Sequence, residues 1–377
     1  MALKILLLGF NRSYSNPTAE TIQRCFANVG RLIYFGPGYS SSAELEWGLE
    51  KYLDKNQDID FLVTDSYVFE SDKIIKRKNP FSADFIRFLP SQYAQFALQY
   101  RDVFYKYSKP KILIANWDTY GISHEMVDRV IQSNCYIMDP GFSLQKPLEE
   151  ILSIFGPGAY GTDNWYNLSM EYKHKFIAVP HTLLSSEFDH RNLNSRPDLF
   201  NVIGTGYPER KKAKELLPFL KKLDDLKARF ISKYHFHFRS TMSYMDVTLH
   251  QSSYMNKISE SKFCYCSGGP WMYPVRKYFE IPARGSVSIG WPCLGAEHIG
   301  IIDGLNFIKA TSNEDIVRIL DSYNEEKHQS IASAGRQLMW TKHSEFARTS
   351  QIRESLHKIL TNQFKGSYWH DGEYKHF

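Results

Sequence analysis

The chain has 377 residues, 43% of them hydrophobic and 23% charged, with a mean hydropathy of -0.40. At roughly 150 residues per domain this is two to three domains of an ordinary globular protein, which excludes a disordered chain, a collagen-like fibre and a coiled coil. The formal charge of +5 is uneven: residues 1–195 carry 20 Lys+Arg against 22 Asp+Glu, and the remainder carries 26 against 19.

Apolar runs and helical segments alternate from the start. Lys4–Gly9 reads as a buried strand; its apolar run is too short for a signal peptide, and Asn11-Arg12-Ser13 follows where a small-residue cleavage site belongs. No apolar run reaches the ~18 residues of a membrane span. Thr18–Ala27 predicts a helix, Arg31–Phe35 a second strand ending at Gly36-Pro37-Gly38, and Asp60–Thr64 a third, with Asp65 and Ser66 at its carboxyl end. Gln92–Tyr107 predicts a helix and Lys111–Ala115 a fourth strand ending in Asn116-Trp117-Asp118-Thr119. A helix over His124–Gln132, a short strand over Cys135–Met138, a helix over Leu148–Phe155 and a strand over Phe176–Val179 follow. Short apolar strands alternating with helices imply a parallel sheet covered on both faces. Pro180-His181 and the polar stretch Ser185–Asp198 place a domain boundary near 195.

A second α/β pattern then begins. Leu199–Ile203 predicts a strand that turns through Gly204-Thr205-Gly206-Tyr207 into a helix, with Pro208 at its first position. Leu216, Leu217, Leu220 and Leu223 stripe that helix, opposite a lysine-rich face. Phe230–Phe238 is apolar and precedes Arg239; Lys257–Glu260 predicts a helix, Phe263–Cys266 a strand, Val275–Ala283 a helix and Val287–Gly290 a strand. Phe307–Lys309 is a short strand, Thr311 and Glu314 make a capping-box pattern before a helix over Ile316–Tyr323, and helices near 325–340 and 344–361 finish the chain. The expectation is α/β with two Rossmann-like domains facing a cleft. They span 1–195 and 196–345, with residues 346–377 packing back towards the first.

The five cysteines are odd in number, widely spread and without a CxxC pair, which argues against a disulfide framework and a structural zinc site. Cys264 and Cys266 alternate, and so share one face of their strand. A cytoplasmic location fits, including the inner face of a membrane with peripheral contact there. The basic second half suits an anionic ligand such as a nucleotide diphosphate, a nucleic acid, or a solvated lysine-rich helix face.

Gly204-Thr-Gly206-Tyr-Pro-Glu209 follows a strand and opens a helix, the context of a phosphate cradle or of a plain turn. Glu209 stands where a dinucleotide fingerprint needs its third glycine, which argues against NAD. The densest stretch runs from Ile258 through Ser-Glu-Ser-Lys262-Phe-Cys-Tyr-Cys-Ser-Gly-Gly-Pro-Trp-Met-Tyr-Pro274-Val-Arg276-Lys277-Tyr-Phe279-Glu280 to Gly285, with Gly304-Leu-Asn306-Phe307 and Ala334-Gly335-Arg336 after it. It resembles the C-terminal domain of GT-B glycosyltransferases, nearest the group-1-like branch that includes spore-maturation-type proteins, with a fainter echo of exostosin-like enzymes. The resemblance covers about 196–360; residues 1–195 share the strand–helix order and Val179-Pro180-His181.

The resemblance implies a glycosyltransferase with a nucleotide-sugar as co-substrate and no other cofactor. Its donor would be held by the second domain and a glycan or glycolipid acceptor by the first. Glu280 matches the donor-site glutamate that contacts sugar or ribose hydroxyls, and Lys277 or Arg276 the basic residue that neutralises the donor phosphates. Many relatives have a second glutamate eight positions on, where this chain has Ser288. Cleaving a glycosyl phosphate bond develops negative charge on the diphosphate, which fixed cations stabilise where it forms. Arg210, Arg239, Lys262, Arg276 and Lys277 are candidates, with Gly204, Gly206 and Tyr273 beside them. An Arg276–Glu280 or Lys277–Glu280 ion pair is the plainer reading of the same spacing.

On the acceptor side, ligands in parallel sheets sit beyond the carboxyl ends of strands, which points to Asn11–Ser15, Asp65-Ser66 and Trp117-Asp118. Asp118 is the general-base candidate for an inverting reaction, with a helix or turn cap as the plainer reading. His181 matches a histidine that relatives carry near the interdomain cleft. The branch favours retention, in which the donor's own phosphate assists. No metal is implied: Asp58-Ile59-Asp60 lies at the start of a strand, and His235-Phe-His237 has no carboxylate cluster beside it. The alternatives are a GT-B-like nucleotide-sugar epimerase and a nucleic-acid-binding or nucleic-acid-modifying protein, the latter weakened by the scatter of its basic residues.

Overall fold

The computed structural model describes residues 3–9, 17–65, 91–115, 124–139, 170–202, 208–216, 244–268, 272, 274–322 and 324–377. The first half alternates strands and helices: β1 (Leu3–Leu8), α1 (Pro17–Val29), β2 (Gly30–Phe35), α2 (Ser42–Lys55), β3 (Phe61–Asp65), α3 (Ser91–Lys106), β4 (Lys111–Ile114), α4 (His124–Gln132), β5 (Cys135–Asp139) and β6 (Phe176–Ala178). The six strands form one sheet in the order β2-β1-β3-β4-β5-β6, each described pairing parallel. The order reverses between β1 and β3, the kind of switch point beside which α/β sheets bind ligands. Gly30 joins α1 to β2, where a Cβ would stand 2.2 Å from the Leu3 carbonyl oxygen. Neighbours along a strand bury into opposite layers: Ile5, Val63 and Ile112 meet Phe26 on one side, while Leu6, Leu62 and Leu113 meet Phe104 on the other. That double burial makes the strands continuous apolar runs rather than alternating ones.

The second half carries β7 (Asp198–Val202), α5 (Pro208–Glu215), α6 (Tyr244–Glu260), β8 (Ser261–Cys266), α7 (Lys277–Ala283), β9 (Val287–Gly290) and β10 (Ile308–Lys309). These four strands pair in chain sequence, β10-β9-β8-β7, again all parallel. Cys264 and Cys266 join one layer of core and Phe263 and Tyr265 the other. All five cysteines are buried free thiols. The expectation of an α/β chain with two parallel sheets is met.

Two long helices close the chain, α8 (Asn313–Asp321) leading into α9 (Glu325–His343) and α10 (Glu345–Leu360). The cap of α8 lies one residue later than the Thr311/Glu314 pattern: the Ser312 side chain accepts from the Asp315 N–H, and the Thr311 N–H donates to Asp315 Oδ2 at 3.0 Å. Although α10 follows the second sheet in sequence, it lies on α1, with Arg353 donating to the Asn28 carbonyl at 2.8 Å. Beyond it the chain forms a hairpin, β11 (Ser367–His370) and β12 (Glu373–His376), where the sequence reading placed only a tail. Ser367 Oγ accepts from the Ala178 N–H at 2.8 Å and Trp369 Nε1 donates to the Ala178 carbonyl at 3.0 Å, so the hairpin's side chains satisfy β6 at the sheet edge. No helix among the described residues is long and apolar enough to cross a membrane.

Among the described residues the chain passes between the halves twice. The first passage follows β6 and the second is the α9–α10 junction; they lie side by side, with the Leu183 N–H donating to the His343 carbonyl at 3.0 Å and the Glu345 N–H to the Leu183 carbonyl at 2.8 Å.

Candidate functional site

The carboxyl edge of the second sheet is built tightly. At the end of β9, Gly290 has φ +143°, and a Cβ there would come within 2.2 Å of the Cys266 carbonyl oxygen, so glycine is required for β9 to reach the end of β8. Just past β8, Ser267 is held from α5: Arg210 donates to the Ser267 carbonyl at 2.8 Å, and Ser267 Oγ donates to Glu209 Oε1 at 3.0 Å. Glu209, in the place of the third fingerprint glycine, thus serves as an acceptor for the β8 loop.

From this edge α7 starts. Arg276, immediately before it, is largely enclosed among three acceptors. Its Nε donates to Glu280 Oε1 at 2.7 Å, one terminal nitrogen to the Thr182 carbonyl at 3.0 Å, and the other forms an ion pair with Glu187 Oε1. Burial opposes the Arg276 charge, but the Glu187 and Glu280 carboxylates prevail and hold its pKa above the ordinary guanidinium value. Glu280 is 6% exposed, and its Oε2 accepts from the Tyr254 hydroxyl of α6 at 2.9 Å. Burial, reinforced by Glu280, pushes the Tyr254 phenol well up, so it stays protonated and donates. Lys277, half-buried, holds its Nζ 5.8 Å from the centre of the Tyr254 ring. The Cys266 thiol at the end of β8 is raised mainly by its burial.

The structure thus brings Arg210, Arg276, Lys277 and Glu280 to one edge. It places Lys262 near the start of β8, four residues and roughly 13 Å of strand from Cys266. His181 lies three residues beyond β6, 6% exposed, with its ring 5.7 Å from that of Phe279 on α7. Burial, and then the charges of Arg276 and Arg348, push its pKa down to about 3, so at neutral pH the imidazole is uncharged. Ser288, eight positions after Glu280, is buried on β9. Asp58 pairs with Lys4 Nζ at 2.5 Å and Asp60 Oδ2 accepts from the Lys4 N–H at 2.8 Å, so both carboxylates serve the start of β1. Asn11, Ser15, Ser66, Trp117, Asp118, Gly204, Gly206, Arg239 and Tyr273 lie outside the described residues, as do 148–155, 217–223 and 230–238 with His235 and His237.

Sequence reasoning missed Glu187 and Tyr254. Tyr254 sits 26 residues before Glu280, and Glu187 lies 89 residues before Arg276 in a stretch read as loop. No spacing rule connects such distant positions, so no local signal was available for either.

No family model and no curated protein matches this chain. Solved structures are similar in chain path at low identity. A glycosyltransferase from Rickettsia africae aligns at TM-score 0.49 and 12% identity over 96% of this chain and 99% of that one. Anabaena HepE in complex with UDP and glucose aligns at 0.47 and 10%, over 94% and 100%. Sucrose-phosphate synthase from Thermosynechococcus elongatus aligns at 0.46 and 11%, over 96% and 100%.

Proposed function

We propose that the protein is a glycosyltransferase moving a sugar from a nucleotide-sugar donor to a glycan or glycolipid acceptor. The observation that carries this reading is the grouping of Glu280, Tyr254, Arg276 and Lys277 at the carboxyl edge of a parallel sheet, where such sheets take ligands. The motif resemblance of residues 258–285 supports the same assignment.

In this reading residues 196–345 hold the donor and 1–195 the acceptor, with 346–377 packing back on the first part. Glu280 binds sugar or ribose hydroxyls. An ionised carboxylate has about four lone-pair sites, and Arg276 and Tyr254 occupy one on each oxygen. The remainder can accept from ligand hydroxyls. Lys277 supplies an ammonium to the diphosphate as its negative charge develops, and Arg210 fixes the β8 loop beside it. The branch resemblance favours retention of configuration: the bond from the sugar to the donor phosphate breaks, the acceptor oxygen bonds the same face of the anomeric carbon, and the acceptor's hydroxyl proton passes to the departing phosphate. His181, uncharged, lines the acceptor side.

The test is a calorimetric titration of wild type, Lys277→Ala and Glu280→Ala with UDP, GDP, CMP and ADP. The expected result is micromolar binding of one diphosphate, weakened about tenfold or more by Lys277→Ala, the effect of losing one charge-assisted contact. Binding of none of the four, together with salt-sensitive binding to DNA, overturns the reading in favour of a nucleic-acid binder.

A further inference from the structure

Arg276 offers three nitrogens to three acceptors, and two of those acceptors come from the first passage between the sheets rather than from α7. Glu187 is itself held in place: its Oε2 accepts from the Leu184 N–H at 2.7 Å, closing a tight turn that aims Oε1 at Arg276. The side chains of Arg276 and Glu187 are 12% and 9% exposed, so water does little to loosen the contact. Arg276 and Glu280 are four residues apart on one helical face, the spacing at which a guanidinium readily takes both oxygens of a carboxylate. Here it takes one: Nε holds Oε1, a terminal nitrogen that would reach Oε2 is engaged by Glu187, and Oε2 accepts from Tyr254.

We propose that Glu187 is a positioning residue for Glu280, acting through Arg276: it keeps the guanidinium from chelating both Glu280 oxygens and so leaves the carboxylate open to a ligand hydroxyl. Recognition at the second sheet then depends on a side chain supplied by the passage from the first. This rests on Glu280 belonging to the donor site. Without the Glu187 charge, the guanidinium turns its fork fully onto Glu280, and with Tyr254 already on Oε2 the carboxylate keeps about one open lone-pair site instead of two.

The experiment titrates wild type, Glu187→Gln, Glu187→Asp and Glu345→Gln with UDP, GDP, CMP and ADP, with melting temperatures measured alongside. Glu345 is the control: its Oε1 holds the Ser185 N–H of the same passage at 2.8 Å, from the side of α10. The expected result is about tenfold weaker binding of the diphosphate in Glu187→Gln, the effect of one charge-assisted hydrogen bond. Glu187→Asp, which keeps the charge, gives a smaller loss, and Glu345→Gln binds as wild type does. If Glu187→Gln does not fold, Glu187→Asp against Glu345→Gln decides. Equal weakening by substitutions at 187 and 345 overturns the role, because a merely structural segment behaves that way; so does unaltered affinity in folded Glu187→Gln. A wild type that binds none of the four overturns the donor-site reading itself, and this role with it.

Discussion

His343 sits at the second passage with its Nε2 2.9 Å from the Ile299 carbonyl oxygen and its Nδ1 3.2 Å from a terminal nitrogen of Arg348. A carbonyl only accepts, so Nε2 carries the proton and Nδ1 accepts from the arginine. Burial first, and then the Arg348 charge, push the His343 pKa down to about 3; His181 is pushed equally far. In the unfolded chain both titrate near 6.5. The folded pKa is the lower one, so as pH falls below about 6.5 the unfolded state takes up protons first. The stability these groups allow is therefore whole above about pH 6.5 and is lost as pH falls towards about 3. Each histidine costs about 1 kcal/mol between pH 6 and pH 5. Denaturant unfolding at those two pH values is expected to show that loss in wild type. In His343→Gln the pH-dependent loss should be smaller by about 1 kcal/mol, whatever the variant's absolute stability; an identical loss would show that His343 titrates in the folded protein as it does in the open chain.

Single elements differ in how much of them can be read from the chain alone. The strands of both parallel sheets were legible because burial on both faces leaves apolar runs, and β1, β4 and β9 fall close to where those runs predict them. Helix α2 was passed over although its start carries a full local signature. Ser41 Oγ accepts from the Glu44 N–H at 3.3 Å, and the Ser41 N–H donates to Glu44 Oε2 at 2.8 Å. Ser41→Ala is expected to lower stability by about 1 kcal/mol in denaturant unfolding, the usual worth of such a cap. The closing hairpin had a signal too: Asp371 and Gly372, both at positive φ, form the two-residue turn between His370 and Glu373. Within the site, the members on or just before α7 were legible through the motif. Lys262 was grouped with them because a motif records sequence neighbours, while a strand carries its first and last residues to opposite edges of the sheet. Glu187 and Tyr254 reach Arg276 and Glu280 only through the packing of separate elements, and a linear pattern does not contain that.

At the scale of the whole molecule, the order of the chain and the order of its packing disagree at the C-terminus. Residues after His343 belong to the first sheet: Ile352, Leu356 and Ile359 of α10 are buried in one cluster with Phe26, Val63 and Ile112. The hairpin adds Trp369, 2% exposed, stacked on the His343 ring at 4.9 Å and lying under the Arg348 guanidinium. Three buried aliphatic side chains and one buried indole together contribute roughly 8–14 kcal/mol, as much as the roughly 5–15 kcal/mol by which a whole domain is stable. The first sheet therefore draws part of its core from the last 34 residues, even though all six of its strands precede residue 179. A chain ending at His343 is expected to lose structure there first. In amide hydrogen exchange, β1, β3 and β6 should exchange far faster than in the full chain, while β8 and β9, whose neighbours α7 and α9 are retained, keep more of their protection. Unchanged protection of β1 and β6 in that truncated chain would show that the first half folds on the residues before 179 alone, and that α10 and the hairpin merely rest on it.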